Sequence, residues 1–439
     1  MRRDRRTDGT GYGWAKLSPL AMAAAMLSGC SSGGGTDQFL PASALPTAPA
    51  ATSVTTYVGT QAPGYWNFVV NETTDVFSYQ AMTASSVLQS GSFGVTSGLL
   101  NLGSLDGVAL GKAAVQPAGG ALLRPGDDTN YPVPMIQQSA CFPLTGKLRY
   151  IYAGLAGQSA QGTGGSTEIG AYGTFVVSTG TDGASWNFED LHLYALPKTG
   201  SSGFAIPAGT DMSTDPLLFS AACANANGQG TVTADSTAPF QASPAGGSPL
   251  IPTFDFNPGG GFIEDRGAAP AVGPASWIGF AMPSAPVSAS GVLAGSYVGF
   301  VYEDAPGVTA LTQPVSFPLP AAGSKSLVGG TFPNDDLTQA AGNEYTITLG
   351  TQDTTLNGVF PNAQLVALDV NGNCALVAPN DPTVQIGANA SGQATCTAAG
   401  VAVVGQLNGK YVIYFTSSDG TETQVDDEGY EIQFYLYQQ

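Results

Sequence analysis

VAVVGQLNGKYVIYF, residues Val401–Phe415, decides the fold class. Two runs of β-branched and aromatic residues flank Asn408-Gly409, and Asn-Gly between such runs predicts a two-residue hairpin, because both central residues of that turn need positive φ. A second pair, Asn371-Gly372, lies between LVALDV (Leu365–Val370) and NCALVAP (Asn373–Pro379). Working outward, short runs rich in Val, Tyr, Phe, Ile and Thr alternate with Gly, Pro, Asn and Asp clusters from Thr55 onward, which is the pattern of strands and turns. The clearest are Trp66–Asn71, Val76–Met82, Leu148–Ala153, Thr174–Val177, Trp277–Met282, Tyr297–Tyr302, Tyr345–Leu349, Leu365–Val370, Tyr411–Thr416 and Tyr430–Tyr437. The last sets Tyr430, Ile432, Phe434 and Leu436 against Glu431, Gln433, Tyr435 and Tyr437, which predicts a half-buried strand.

Helical periodicity is nearly absent. One helix is predicted at Pro216–Ala224, with Asp215 as N-cap and Pro216 in the first turn, and a short turn at Asp335–Ala341. The expected fold is therefore mostly β, as antiparallel sandwich- or barrel-like sheets with very little helix.

The strands carry a weak repeat. LTGKLRYIY (Leu144–Tyr152), LAGSYVGFVY (Leu293–Tyr302) and LNGKYVIYF (Leu407–Phe415) share a Leu-x-Gly turn ahead of an aromatic strand, and SYVG at Ser296 echoes TYVG at Thr56. Two readings stay open: two related modules, or convergent use of Gly where a turn needs it. The Pro- and Gly-rich stretch Ala242–Pro274 is the expected boundary, giving an N-terminal β domain at 55–245 and a C-terminal one at 246–439.

The N-terminus has a different character. Arg2, Arg3, Arg5, Arg6 and Lys16 precede an apolar run, Leu17–Leu27, too short to span a bilayer as a helix, which takes about 20 residues. A basic segment before a short apolar one is the layout of a secretory signal. It runs into Leu27-Ser28-Gly29-Cys30, which resembles the lipobox of bacterial lipoproteins. The resemblance implies a signal peptide at 1–29, cleavage before Cys30, and a lipid on its thiol. Thr7-Asp8-Gly9 lacks the apolar residues that follow the arginine pair of a twin-arginine signal. Residues 30–54 read as the lipidated Cys and a flexible tether, Gly/Ser first and then Pro/Ala, with a mean span of roughly 27 Å. Ser31 follows the cysteine where an inner-membrane retention signal has Asp, so the expected address is the outer membrane, with the face undetermined. Lipobox, CSSGGG tether and β-rich body together resemble the Ala/Gly-rich uncharacterised lipoproteins of proteobacteria, a likeness of layout that implies no mechanism.

Charge narrows the partners. The chain has net charge −19 with 13 basic and 32 acidic residues. Setting aside the five bases and two acids of the leader leaves eight against thirty, near −22. Nucleic acid, which needs clustered Lys and Arg, is excluded, and anionic membrane surfaces are disfavoured; membrane attachment rests on the N-terminal lipid. Four cysteines follow Cys30, and an even number in an exported chain predicts two disulfides. Of three pairings, Cys141–Cys223 and Cys374–Cys396 suit a two-domain chain, each contributing ~3–4.5 kcal/mol by loop entropy.

Catalytic residue types are scarce. His192, in FEDLHLYAL beside Glu189 and Asp190, is the sole histidine, and the G-x-S-x-G match at Gly29–Gly33 straddles the cleavage point, so no Ser-His-Asp triad is indicated. GVALGK (Gly107–Lys112) is one residue short of a phosphate loop, with Ala113 in place of the metal-binding hydroxyl, and reads as turn and strand. Glu189-Asp190, Glu264-Asp265 and Glu303-Asp304 lie near aromatics, yet adjacent acids on a strand face opposite ways, so each pair offers one inward carboxyl. Asp127-Asp128, Asp335-Asp336 and Asp426-Asp427-Glu428 are oxygen ligands without the EF-hand spacing; in Asp369-x-Asn371-x-Asn373 a cysteine, Cys374, stands where that loop needs Gly. The aromatics of GYWNF (Gly64–Phe68) and Tyr57 read as core, with a sugar- or peptide-binding face as the other option. No catalytic residue, metal ligand or cofactor is assigned. The expected function is a lipid-anchored envelope protein with a non-enzymatic binding or structural role toward a protein or glycan; the alternative is a carboxylate-dependent glycan hydrolase. An integral outer-membrane barrel is not expected, since few segments keep the long alternation it needs.

Overall fold

The computed structural model describes residues 54–439 apart from connecting segments, the longest being 196–218, 234–252, 330–344, 369–383 and 418–430; residues 1–53 lie outside the description. Asn408 and Gly409 take φ of 51° and 77°, and Leu407 pairs with Lys410 across them. The hairpin that opens the sequence argument is therefore present as read. Among the described residues every element is a strand, and all pairings between them are antiparallel.

The first eight strands are β1 (Val54–Gln61), β2 (Gly64–Asn71), β3 (Val76–Ala81), β4 (Gln89–Thr96), β5 (Leu99–Gly103), β6 (Ala109–Val115), β7 (Gly120–Pro125) and β8 (Val133–Gln137). Each pairs with the next, and β8 returns to β1 to close a barrel, which leaves no exposed sheet edge. Its interior is filled by Tyr57, Phe68, Val70, Phe77, Tyr79, Leu102, Leu123 and Met135, all buried.

The remaining strands form a second sheet containing two further circuits. Along the chain come β9 (Lys147–Ser159), β10 (Ser166–Thr179), β11 (Ser185–Ala195), β12 (Phe219–Ala226), β13 (Gln229–Thr233), β14 (Thr253–Asn257), β15 (Gly261–Asp265) and β16 (Ser276–Ala281). Here β16 pairs back onto β9 over Ser276–Ala281, so this ring also closes. Then follow β17 (Tyr297–Asp304), β18 (Leu311–Phe317), β19 (Ser326–Gly329), β20 (Tyr345–Thr348), β21 (Val359–Leu368), β22 (Val384–Ala388), β23 (Ala394–Leu407), β24 (Lys410–Ser417) and β25 (Glu431–Gln438), with β25 returning to β17. In this third ring β22 stands outside the circuit, paired with the first residues of β23. One pair, Ala281↔Gln406, stitches rings two and three.

The three rings close alike. The first strand of each carries a buried tyrosine: Tyr57, Tyr150 and Tyr297, each 1% exposed. Each stands opposite a phenylalanine on the second strand, Phe68, Phe175 and Phe317, and opposite Gln137, Ala281 and Gln438 on the last. One residue further, the backbone N–H donates to the carbonyl ahead of the tyrosine: Gln138 to Thr56 (2.8 Å), Met282 to Arg149 (2.9 Å) and Gln439 to Ser296 (2.8 Å). Burial pushes the phenol of all three tyrosines well above its ordinary range. Outward-facing residues at matching positions share one core: Val58, Ile151 and Val298; Ile136, Phe280 and Tyr437; Leu122, Ile263 and Tyr414. The rings thus wrap a common apolar centre in a threefold-like manner.

Four expectations change. Residues Phe219–Ala224 of the predicted helix lie in β12, held between β11 and β13; two ladders satisfy its backbone, whereas so short a helix is marginal alone. The strand expected to be half-buried, β25, is buried on both faces, because Gln433, Tyr435 and Tyr437 are covered as fully as Ile432, Phe434 and Leu436; the common centre covers the tyrosine face. The boundary expected at 245/246 falls inside ring two, where β13 and β14 pair across it. The repeat also divides differently. TYVG and SYVG open rings one and three, and LTGKLRYIY opens ring two, while LNGKYVIYF supplies β24, next to last in its ring.

Candidate functional site

The chemistry-bearing residues are dispersed. His192 lies on β11 opposite Thr174, and Glu189, three residues away on the same strand, lies opposite Val176 beyond a register irregularity. Glu264 and Asp265 lie on β15, and Glu303 and Asp304 end β17. Among the described residues no three His, Cys, Asp or Glu side chains gather as a metal would require. Cys30, Cys141, Cys374, Asp127-Asp128, Asp335-Asp336, Asp369, Asn371, Asn373 and Asp426-Asp427-Glu428 lie outside the described residues. Cys223 is on β12 opposite Val232, and Cys396 is buried on β23 opposite Ala367 and Ile386. In GVALGK, Gly107 takes the positive φ (80°) of a turn and Lys112 lies within β6. Tyr57 and Phe68 are core, their rings stacked at 6.0 Å, and Trp66 packs partly buried against that core. Tyr65 instead reaches out of ring one and donates its hydroxyl to the Asp255 carboxylate of ring two.

The seam between the rings is polar at its margins. Asn257 donates from Nδ2 to the Gln137 carbonyl (2.9 Å), while its Oδ1 accepts from Gly259 N (2.6 Å). Ser139 donates to the Phe256 carbonyl at 3.2 Å. Tyr437 reaches from ring three to the carbonyls of Met135 (3.2 Å) and Ala121 (3.4 Å). On the outer wall of ring one Lys112 and Arg124 pair across β6 and β7. Arg124 donates to the Thr312 carbonyl at 2.8 Å, and the two cations are only 9% and 5% exposed. Arg124 is therefore spent on the seam, and Lys112 is buried beside it on β6.

The charges that ring one leaves in solvent are acidic, and beside neutral polar residues such as Thr73, Ser92 and Thr96 it exposes apolar ones. Of the eight large hydrophobic side chains exposed among the described residues, seven belong to it. Because consecutive strands reverse, the β3–β4 and β5–β6 turns emerge at the same end of the barrel and flank the start of β4. Those two turns carry Met82 (58%), Val87 (72%), Leu88 (58%) and Val108 (60%). Val54, Val76 and Val95 are exposed toward the opposite end, at 45%, 42% and 65%. Glu72, Asp75 and Asp106 are exposed, the last on the four-residue apolar rim. The rim was not among the candidates read from the sequence, although a signal exists: Val76–Leu105 is a run of 30 residues without one charge, in a chain that must otherwise stay soluble by its acids. Scattered exposed apolar residues are ordinary; here four of the seven stand on one barrel end and three toward the other.

No protein-family model matches the chain. No curated protein matches it either. Among solved structures it is similar to two crystal structures of the vaccine antigen transferrin binding protein B from Haemophilus parasuis Hp5. One is a double mutant, with 9% identity over 89% of this chain and 76% of that one at a TM-score of 0.26. The other is a single mutant, with 8% identity, coverage of 90% and 77%, and a TM-score of 0.27. A third is isotype 1 of the same protein from serogroup B Neisseria meningitidis, with 10% identity, coverage of 85% and 66%, and a TM-score of 0.24. Likeness at this level carries no argument about function.

Proposed function

We propose that the chain is a lipid-anchored cell-envelope protein whose body serves binding rather than catalysis. The observation that carries this is the exposed apolar rim of Met82, Val87, Leu88 and Val108 on a barrel whose interior is filled by its own side chains, so that ring one offers a surface rather than a cavity. The anchor is Cys30, on the strength of LSGC behind a short apolar run, and Ser31 favours the outer membrane. Multiple acyl chains at ~0.8 kcal/mol per buried methylene would hold it there. Two disulfides, Cys141–Cys223 and Cys374–Cys396, belong to the same reading; in support, Cys396 is buried and not a free thiol.

The test is direct. Cells fed a labelled fatty acid should label the parent chain and not Cys30→Ala, which should leave the membrane fraction. A variant that stays labelled and membrane-bound would overturn the anchor. Peptide mapping without reductant should recover the two stated links; a Cys223–Cys374 link would overturn the pairing.

A further inference from the structure

Ile386 is the one large exposed hydrophobic side chain among the described residues that lies outside ring one, at 54%. It is the middle residue of β22, and Gln385, Gly387 and Ala388 beside it are exposed too, so both faces of this strand stand in solvent. The pairing shows why. β21 runs along one flank of β23 over Thr395–Val403. The other flank is shared end to end: β24 takes Gly400–Leu407 and β22 takes Ala394–Ala398. β24 is covered in turn by β25, whereas among the described residues β22 pairs with β23 alone. Its outer edge is a row of backbone donors and acceptors, held in place by a tight turn. Asn389 N donates to the Gln393 carbonyl (2.9 Å), and Asn389 Oδ1 accepts from Ser391 N (3.0 Å) and Gln393 N (2.9 Å).

Exposed edges are ordinarily guarded by charge or proline, because they template pairing with another chain. This one is not: β22 holds no proline, and residues 382–409 hold no charged side chain, in a chain of net charge −19. Backbone groups and Ile386 therefore set what docks, not charge. The repulsion between two copies of the whole chain is screened over about 8 Å at physiological salt, and the edge itself adds none. The strand is also self-complementary. Turned about a twofold axis through Ile386, it sets Ile386 against its own counterpart, Gln385 against Gly387 and Val384 against Ala388, with no like charges opposed. Such an isologous contact closes on itself and consumes both open edges. We propose that the outer edge of β22 pairs antiparallel with β22 of a second copy of this chain, joining two bodies through one continuous sheet.

The experiment uses the full-length protein in detergent. A pair this small is of the transient class, so sedimentation is followed up to roughly 100 µM chain, where the parent should rise toward twice the mass of one chain. Ile386→Lys opposes two like charges on the axis and should weaken association about tenfold or more. It should keep the parent's thermal midpoint, because the side chain is exposed. Mixing Ile386→Lys with Ile386→Glu should restore the pair. Register is read by copper-catalysed oxidation and a gel run without reductant. Directly opposed Cα atoms stand about 4.5–5.5 Å apart, within disulfide reach, so Ile386→Cys should link to itself. Gln385→Cys should not, since diagonal positions stand about 7–8 Å apart; mixed with Gly387→Cys it should. A parent that stays at the mass of one chain, association unchanged in Ile386→Lys, a Lys/Glu mixture no tighter than Ile386→Lys alone, or self-linking of Gln385→Cys at the level of Ile386→Cys would each overturn the proposal. None of these outcomes bears on Cys30, whose labelling tests the anchor separately.

Discussion

Gly120 sits where rings one and three touch, and replacing it with Ala measures how tightly they are joined. A Cβ there would lie 2.9 Å from the Leu407 methyl Cδ2, 2.9 Å from the Met135 carbonyl oxygen and 2.9 Å from the Tyr437 hydroxyl. The leucine can turn away, but the carbonyl belongs to β8 and the tyrosine ring is 1% exposed. Overpacking of this kind costs about 1–3 kcal/mol. The loss of chain freedom in the unfolded state offsets about 0.4–1 kcal/mol of that, leaving about 1–2 kcal/mol of destabilisation. Tyr437→Phe alone removes a hydroxyl held by two carbonyls and should cost about 1 kcal/mol. Combined, the two should be less than additive by about 0.5–1.5 kcal/mol, because the phenylalanine vacates one of the three crowded positions. Urea unfolding of the four proteins, read by tryptophan fluorescence and by far-ultraviolet circular dichroism, gives the cycle. Strict additivity, or a Gly120→Ala protein as stable as the parent, would refute the packing described at the seam.

Three further perturbations address other parts of the body. Gly299 pairs between Val315 and Leu436, and an added Cβ would meet the Tyr435 carbonyl oxygen at 1.7 Å; Gly299→Ala should cost at least about 3 kcal/mol through a displaced β25, seen as a lower urea midpoint, and more than Gly59→Ala, whose Cβ would stand 2.5 Å from the Pro134 carbonyl. Arg124→Met should cost about 2–3 kcal/mol, since a charged donor to a buried carbonyl is lost, measured in the same way. Asp353 is pushed up by burial, but hydrogen bonds from Thr355 N (2.7 Å), the Thr355 hydroxyl (2.8 Å) and Leu356 N (2.9 Å) outweigh this and hold its carboxyl below the ordinary value of 3.8. Its stabilising effect is therefore full above that value and lost as pH falls through the lower folded one. Asp353→Ala should cost about 1 kcal/mol at neutral pH, with a difference from the parent that shrinks below pH 3.8 in acid titrations of stability.

Local features were legible in the sequence, and closure was not. The Asn408-Gly409 hairpin could be read because its turn geometry is dictated by two residues. The kinship of rings one and three showed faintly in TYVG and SYVG, where Gly59 and Gly299 each lie against a carbonyl of the closing strand that a side chain would strike. Ring two escaped the comparison because Tyr152 occupies the corresponding place beside Tyr150, and the small residue sits instead on β16 as Gly279, opposite it. Ring boundaries depend on which distant strand pairs with β1, β9 or β17, and no local pattern encodes that. The tyrosine face of β25 looked like a solvent face because the neighbours that bury it come from other rings. For the rim, the uncharged run Val76–Leu105, which holds three of its four residues, was present to be read, but apolar residues in a strand-rich region ordinarily signal core, and only the folded barrel shows which of them stay outside.

The tyrosine closures also set an order of events during biogenesis. Each ring is completed by a strand that is the last of its group to be made, so none can shut until its whole length is available. Because synthesis runs from the N-terminus and completed units fold as they appear, ring one shuts while ring three is still without β25. During that interval Val58, Leu122 and Ile136 have no opposite wall. A nascent chain that folds in this order therefore passes through a stage in which that apolar flank stays uncovered until Tyr437 arrives to seal it.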